Sequence, residues 1–266
     1  MRITRDFLLP ANSIYHMMWR TVAGAFFLQS DTMKRMFLYC FIRFMFRAKG
    51  NVLLHGFCVM DNHFHKAAQL NGNAKHMSAW ARASHSSFAQ RFNLMKKRRG
   101  PVAQDRPKTV VCETQEELKR VMFYGDWNPV EAGMCSHPSE YQFSTYRYYA
   151  YGEVNEWTKH LTPPQFYLDM GETPNERQAE YRRQCDEYWR LKKLPSERDL
   201  EFGHAIGSGK FVANRHRLML ALGGHLRHRT SPPRGLRRRR ARSRVVEELP
   251  WQSCRRPSPP VESVTG

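Results

Sequence analysis

The chain has 266 residues, of which 41% are apolar and 12% aromatic, and its formal net charge is +19. That length and apolar content exclude a chain too polar to bury a core, and a charge of that sign and size points to a polyanionic partner, nucleic acid before any other. Residues 225–256 hold eleven arginines against two glutamates, a net of +9, so the rest of the chain still carries +10 and the basic character is not confined to one end.

Residues 1–20 contain Arg2, Arg5, Asp6 and the polar pair Asn12-Ser13, which interrupt any secretory h-region. Residues 14–20 (IYHMMWR) alternate as a strand, with Tyr15, Met17 and Trp19 on one face and His16, Met18 and Arg20 on the other. Asp31 or Thr32 caps a predicted helix whose apolar positions Met33, Met36, Phe37, Cys40, Phe41 and Phe44 recur at three- and four-residue spacing, up to Gly50-Asn51. Its most apolar run, 36–46, is too short to span a bilayer and includes Arg43, so no membrane partner is expected. Residues 52–60 and 63–70 read as two strands around an Asp61-Asn62 turn. A long helix follows over 74–97, with Met77, Trp80, Ser84, Phe88, Phe92 and Met95 inward and the basic run Lys96 to Arg99 at its end, where it suits the helix dipole.

After Gly100-Pro101, residues 109–112 form a short predicted strand. Thr114-x-x-Glu117 has the pattern of a capping box opening a helix with Leu118, Val121 and Met122 on its apolar side. Asn128-Pro129 is expected to end that helix, because a residue before proline is pushed out of the helical region. Residues 138–153 read as an aromatic-rich loop whose tyrosines (141, 146, 148, 149, 151) either pack it or stack bases. Helices are predicted at 176–193 and near 210–222, and from 223 onward proline, serine and arginine dominate, the composition of a disordered tail. The six cysteines form no CxxC pair and suggest reduced thiols in a cytosolic protein rather than a zinc site or disulfide scaffold. The element order β-α-β-β-α-β-α predicts an α+β fold with a mostly antiparallel sheet.

Two constellations carry chemistry. His63 and His65 are two apart on a strand and so share a face, with Phe64 turned to the core behind them. On spacing alone they are either a metal-binding pair or a chance pairing among twelve histidines. Tyr124 and Asn128 are four apart on a helix and share a face with Arg120 one turn earlier. A phenol with a reference pKa near 10 needs a cation or a polarised phosphate to act as a nucleophile. An amide oxygen is a suitable hard ligand for a magnesium-like ion. Equally, the pair is consistent with a packed tyrosine and a helix stop.

The segment GFCVMDNHFHKAAQL resembles the MPNHxH segment of single-tyrosine HUH transposases. FYGDWNPVEAGM followed by HPSEYQFSTYRYY resembles the Y-x-x-x-N-P-V-x-A-G block of the REP-associated tyrosine transposase subfamily, and SIYHMMWRTVAG resembles that family's first strand. The three blocks stand in the family's order over about residues 10–155. The resemblance implies a ferredoxin-like HUH endonuclease fold, His63 and His65 as ligands of a divalent ion (Mg2+ or Mn2+), Tyr124 as nucleophile, and Asn128 as third ligand one turn beyond it. It implies cleavage and rejoining of single-stranded or hairpin-forming DNA through a 5′-phosphotyrosine, in the bacterial cytoplasm at the nucleoid, with a homodimer as one possible assembly. Arg20, Arg120 and Arg147 are the candidate phosphate-binding residues. The expected organisation is a transposase/nuclease domain over 1–155, a helical extension over 156–222 and the tail over 223–266. Three positions depart from the family pattern: Asp61 replaces a proline, Lys66-Ala67-Ala68 replaces an apolar run, and Gly125 costs the helix about 1 kcal/mol against alanine. Two further readings use the same residues: a DNA-binding protein that has lost cleavage, and a metallohydrolase in which His63 and His65 activate water.

Overall fold

A computed structural model describes residues 9–196, 199–200 and 203–221, all in one compact unit. The arginine-rich segment 223–266, expected to be a disordered tail, lies outside the described residues. In chain order the elements are β1 (Ile14–Arg20), α1 (Asp31–Arg43), β2 (Val52–Val59), β3 (His63–Leu70), α2 (Ala74–Met95), β4 (Lys108–Cys112), α3 (Gln115–Glu131), α4 (Tyr146–Tyr151), α5 (Gln165–Leu168), α6 (Pro174–Arg190), β5 (Ala205–Ile206) and α7 (Gly209–Ala221). The strands form one sheet in the order β2-β3-β1-β4-β5, antiparallel except for the parallel β4–β5 pair. This is the α+β architecture expected from the element order. The two-residue β5 escapes a sequence pattern because two positions carry no period.

The period of two along β1 and β3 sorts side chains onto two faces. On one face Trp19 and Phe64 meet α1 and α2 through Phe37, Phe41, Trp80 and Phe88, ring against ring at 4.6–6.0 Å between centroids. Lys66 lies on this face and is fully buried, yet β3 is paired along its length on both sides. Its ammonium sits 4.1 Å from the centre of the Trp80 ring and within 6 Å of those of Tyr15 and Phe41, so the π faces of the box attract the charge. Asp61, in the turn before β3, pairs with the buried Lys34 of α1 at 2.6 Å and ties that turn to the helix.

Helix α3 crosses the opposite face and contacts β1 through β4. Gly56 in β2 permits its close seating: a Cβ there would stand 3.1 Å from Thr145 Oγ1 and 3.3 Å from Met122 Cε. The Thr114 hydroxyl caps α3 by accepting from Glu117 N–H, but Glu117 turns to Arg120 at 2.8 Å, so half of the expected capping box forms. The helix does not end at Asn128-Pro129. It runs to Glu131 with Pro129 inside, because everything from Val121 to Pro129 is buried and packing outweighs the proline; the chain turns out of the helix at Gly133, in the left-handed region at φ 67°.

Residues 138–153 are not the expected loop: Pro138–Glu140 is a 3-10 turn and Tyr146–Tyr151 is helix α4, with Tyr146 and Tyr149 buried. Those two rings are packing residues, in contact with Tyr181. The segment read as a helical extension shares the core: Trp157, Leu161, Phe166, Tyr167, Tyr181 and Cys185 pack in the same cluster as the strands. Helix α6 lies on α3, with Trp127 stacked on Trp189 at 4.7 Å and Tyr181 donating its hydroxyl to Asp126 Oδ2 at 2.6 Å. Burial pushes the Asp126 carboxyl up to about 8, against that hydrogen bond. The outer edge of β2 is taken up by the chain itself, through Val59 N–H to Phe143 O, Thr145 N–H to Phe57 O and Thr162 N–H to Leu54 O. No helix among the described residues is long and apolar enough to cross a membrane.

Candidate active site

The site lies on the α3 face of the sheet. His63 opens β3 opposite Arg20, the last residue of β1, and His65 stands between Met18 of β1 and Cys58 of β2. Alternation puts His16, Arg20, His63 and His65 on one face, and the rings of His63 and His65 meet edge to face at 4.7 Å. Helix α3 brings the other two residues. The Asn128 side chain is hydrogen-bonded to the His63 ring, and the Tyr124 ring lies edge-on to His65 at 5.6 Å. Tyr124 is 6% exposed, its ring seated among Val110, Cys112, Val121, Leu200 and Ile206, so the chain around β5 helps wall it in.

All three histidines of this face are held neutral near pH 7. Burial, with the Arg20 charge next in weight, lowers His63 to about 4 despite the Asn128 hydrogen bond. Burial and the His63 charge lower His16 to about 3, and burial above all keeps His65 well below the ordinary range. A neutral imidazole has one N–H and one lone pair. At His63, Nδ1 lies 2.6 Å from Asn62 Oδ1, and Asn62 is itself oriented by donating from Nδ2 to Gly24 O at 3.2 Å. Nδ1 is therefore the protonated nitrogen, and the lone pair is on Nε2. At His65, Nε2 is buried without a hydrogen-bond partner.

These features fit a divalent ion: two adjacent imidazoles, one with an orphaned buried nitrogen, and an amide side chain beside them. The set suits a manganese-like ion better than magnesium, since imidazole is a softer donor than carboxylate or water. No group of three or more His, Cys, Asp or Glu side chains among the described residues is placed to hold a metal, so a site built on this histidine pair would need a donor of another type, and the Asn128 amide is the neighbour of that kind.

Of the residues singled out from the sequence, Tyr124, His63, His65, Asn128 and Arg20 come together. Arg120 and Arg147 are engaged elsewhere. The Arg120 guanidinium donates to Lys193 O and to Glu117, both at 2.8 Å, and Arg147 pairs with Glu153 at 2.8 Å on an exposed surface. His16, not singled out, belongs to the cluster: its Nε2 is 2.9 Å from His65 Nδ1. It shares the strand face of Arg20, but its reach to His65 depends on strand register. It pairs with Ala67 and meets His65 on the diagonal.

No family model matches the chain, and no curated protein matches it. Among solved structures it is similar to a REP-associated tyrosine transposase bound to a REP hairpin, at 17% identity and a TM-score of 0.44, over 62% of this chain and 96% of that one.

Proposed function

We propose that this protein is a metal-dependent, single-tyrosine nuclease of the HUH type that cleaves and rejoins single-stranded DNA. The observation that supports this best is the convergence of two elements: His63 and His65 adjacent on one strand, and α3 laid across them so that Asn128 meets His63 and Tyr124 meets His65. His63 Nε2, His65 Nε2 and the Asn128 side-chain oxygen would hold the ion, Mn2+ or Mg2+. Once bound, such an ion polarises a phosphodiester and stabilises the charge that grows on its oxygens. Tyr124 supplies the attacking oxygen. Its bond to phosphorus forms as the bond from phosphorus to the 3′ oxygen breaks, leaving a 5′-phosphotyrosine and a free 3′-OH. Attack by another 3′-OH reverses the step and joins strands. One phosphodiester is exchanged for another, so no nucleotide triphosphate is consumed. Arg20, beside His63, adds positive charge for the phosphate, and the +10 carried outside residues 225–256 favours a polyanion.

Incubation with single-stranded oligonucleotides and Mn2+ should give a covalent protein–DNA adduct, mapped by mass spectrometry to Tyr124. Tyr124→Phe should abolish the adduct while Mn2+ binding persists, because phenylalanine keeps the packing and removes only the attacking oxygen. A modified peptide from 146–151 with Tyr124 unmodified would reassign the nucleophile, and cleavage without an adduct would replace this mechanism with metal-activated water.

A further inference from the structure

We infer that His16 is a positioning residue for the ion: it accepts the Nδ1 proton of His65 and so turns the His65 lone pair toward the site. The inference rests on the metal site proposed above and concerns a residue outside the ligand set.

His16 and His65 are both buried, at 1% and 4% exposure, and stack with ring centres 5.1 Å apart. One proton bridges His16 Nε2 and His65 Nδ1 across 2.9 Å. Two arrangements satisfy that bond. If His16 Nε2–H donates, the neutral His65 ring carries its remaining hydrogen on Nε2 and cannot ligate a cation there. If His65 Nδ1–H donates, His65 Nε2 is a free lone pair and His16 holds its own proton on Nδ1. Neither His65 Nε2 nor His16 Nδ1 has a hydrogen-bond partner, so each arrangement strands one donor and one acceptor in the interior, and the protein alone does not choose. A cation at His65 Nε2 satisfies the stranded acceptor of the second arrangement and is excluded by the first. Binding therefore selects the state in which His16 is the acceptor.

His63 is set differently. Asn62, pinned by Gly24 O, presents an amide oxygen that accepts only, so the His63 lone pair points to the site without any ion. One ligand is preorganised by an amide, and the other waits on a second imidazole. Outer partners of this kind fix the tautomer and orientation of ligating histidines, and their loss costs roughly 10- to 100-fold in metal affinity.

The test uses the full chain and Mn2+ titration followed by electron paramagnetic resonance. His16→Phe keeps an aromatic ring and removes the acceptor, and should weaken Mn2+ by roughly 10- to 100-fold. His16→Gln places an amide oxygen near the position of Nε2 and should restore most of the affinity. Histidine 15N shifts give an independent readout, and a gain of Nδ1–H character at His65 on adding diamagnetic Mg2+ or Zn2+ is expected. Wild-type affinity in a folded His16→Phe, or a metal-bound His65 that keeps its proton on Nε2, would overturn the inference. If His16→Phe does not fold, the Gln variant and the wild-type shifts decide. Mn2+ binding that survives His63→Ala and His65→Ala would instead remove the metal site itself, and this inference with it.

Discussion

The two faces of the sheet are built from alternating residues of the same strands and do opposite work. Behind β1 and β3, Trp19, Phe64, Phe37, Phe41, Trp80 and Phe88 make a dry aromatic layer, and even the charge buried there, Lys66, is held by rings. In front, His16, Arg20, His63 and His65 crowd polar atoms under α3, and some of those atoms lack partners. The difference shows where this fold spends its stability. The aromatic face supplies burial and leaves the Trp19 indole N–H unmatched, whereas the atoms left unmatched in front are imidazole nitrogens of His16 and His65, which unlike an indole N–H can carry a lone pair for the ion proposed above.

Neighbouring residues on opposite faces allow the largest test. Phe64→Ala should cost about 3–5 kcal/mol of unfolding free energy, the usual penalty for emptying a core aromatic site. His63→Ala, one residue away and half-buried, should cost about 1 kcal/mol or less while removing a proposed metal ligand. Urea unfolding of both variants measures the contrast, and equal losses would mean that the front face carries core stability too. A smaller effect is expected at the α3–α6 contact. Tyr181→Phe deletes the donor to the buried Asp126 carboxyl and should cost about 1–3 kcal/mol by the same measurement, with Mn2+ affinity unchanged. The smallest effect has the opposite sign. A Cβ at Gly125 would meet nothing nearer than Cys58 Cβ at 4.0 Å, so Gly125→Ala should stabilise the protein by about 1 kcal/mol, seen as a higher urea midpoint. A loss there would mean that α3 needs the freedom of glycine beside Tyr124.

The two faces were legible in the sequence, because β1 and β3 alternate cleanly and the helix spacing of Tyr124 and Asn128 is explicit. What could not be read depends on partners distant along the chain. Arg120 shares the helix face of Tyr124 in sequence but is drawn off by Lys193 O, 73 residues away. His16 needs the β1–β3 register to be linked to His65. The run of α3 through Pro129 reflects burial on both sides, which overrides the local preference of the residue before proline. Helix α4 was hidden because a tyrosine-rich stretch of six residues gives little amphipathic pattern.

The covering of β2 bears on how copies of the protein can associate. A free sheet edge is a template for intermolecular pairing. Here the chain segments at 143–145 and 162 occupy one edge, and β5 occupies the Val111–Cys112 end of β4 at the other. Among the described residues that edge is the two-residue β5 with the short start of β4 beside it, and the latter is led by the exposed Lys108, a residue type that discourages strand addition. Among the described residues a second copy would meet only this short, lysine-led edge, which favours association through side-chain surfaces over strand addition. The same arrangement disfavours edge-to-edge assembly of the sheet into fibres.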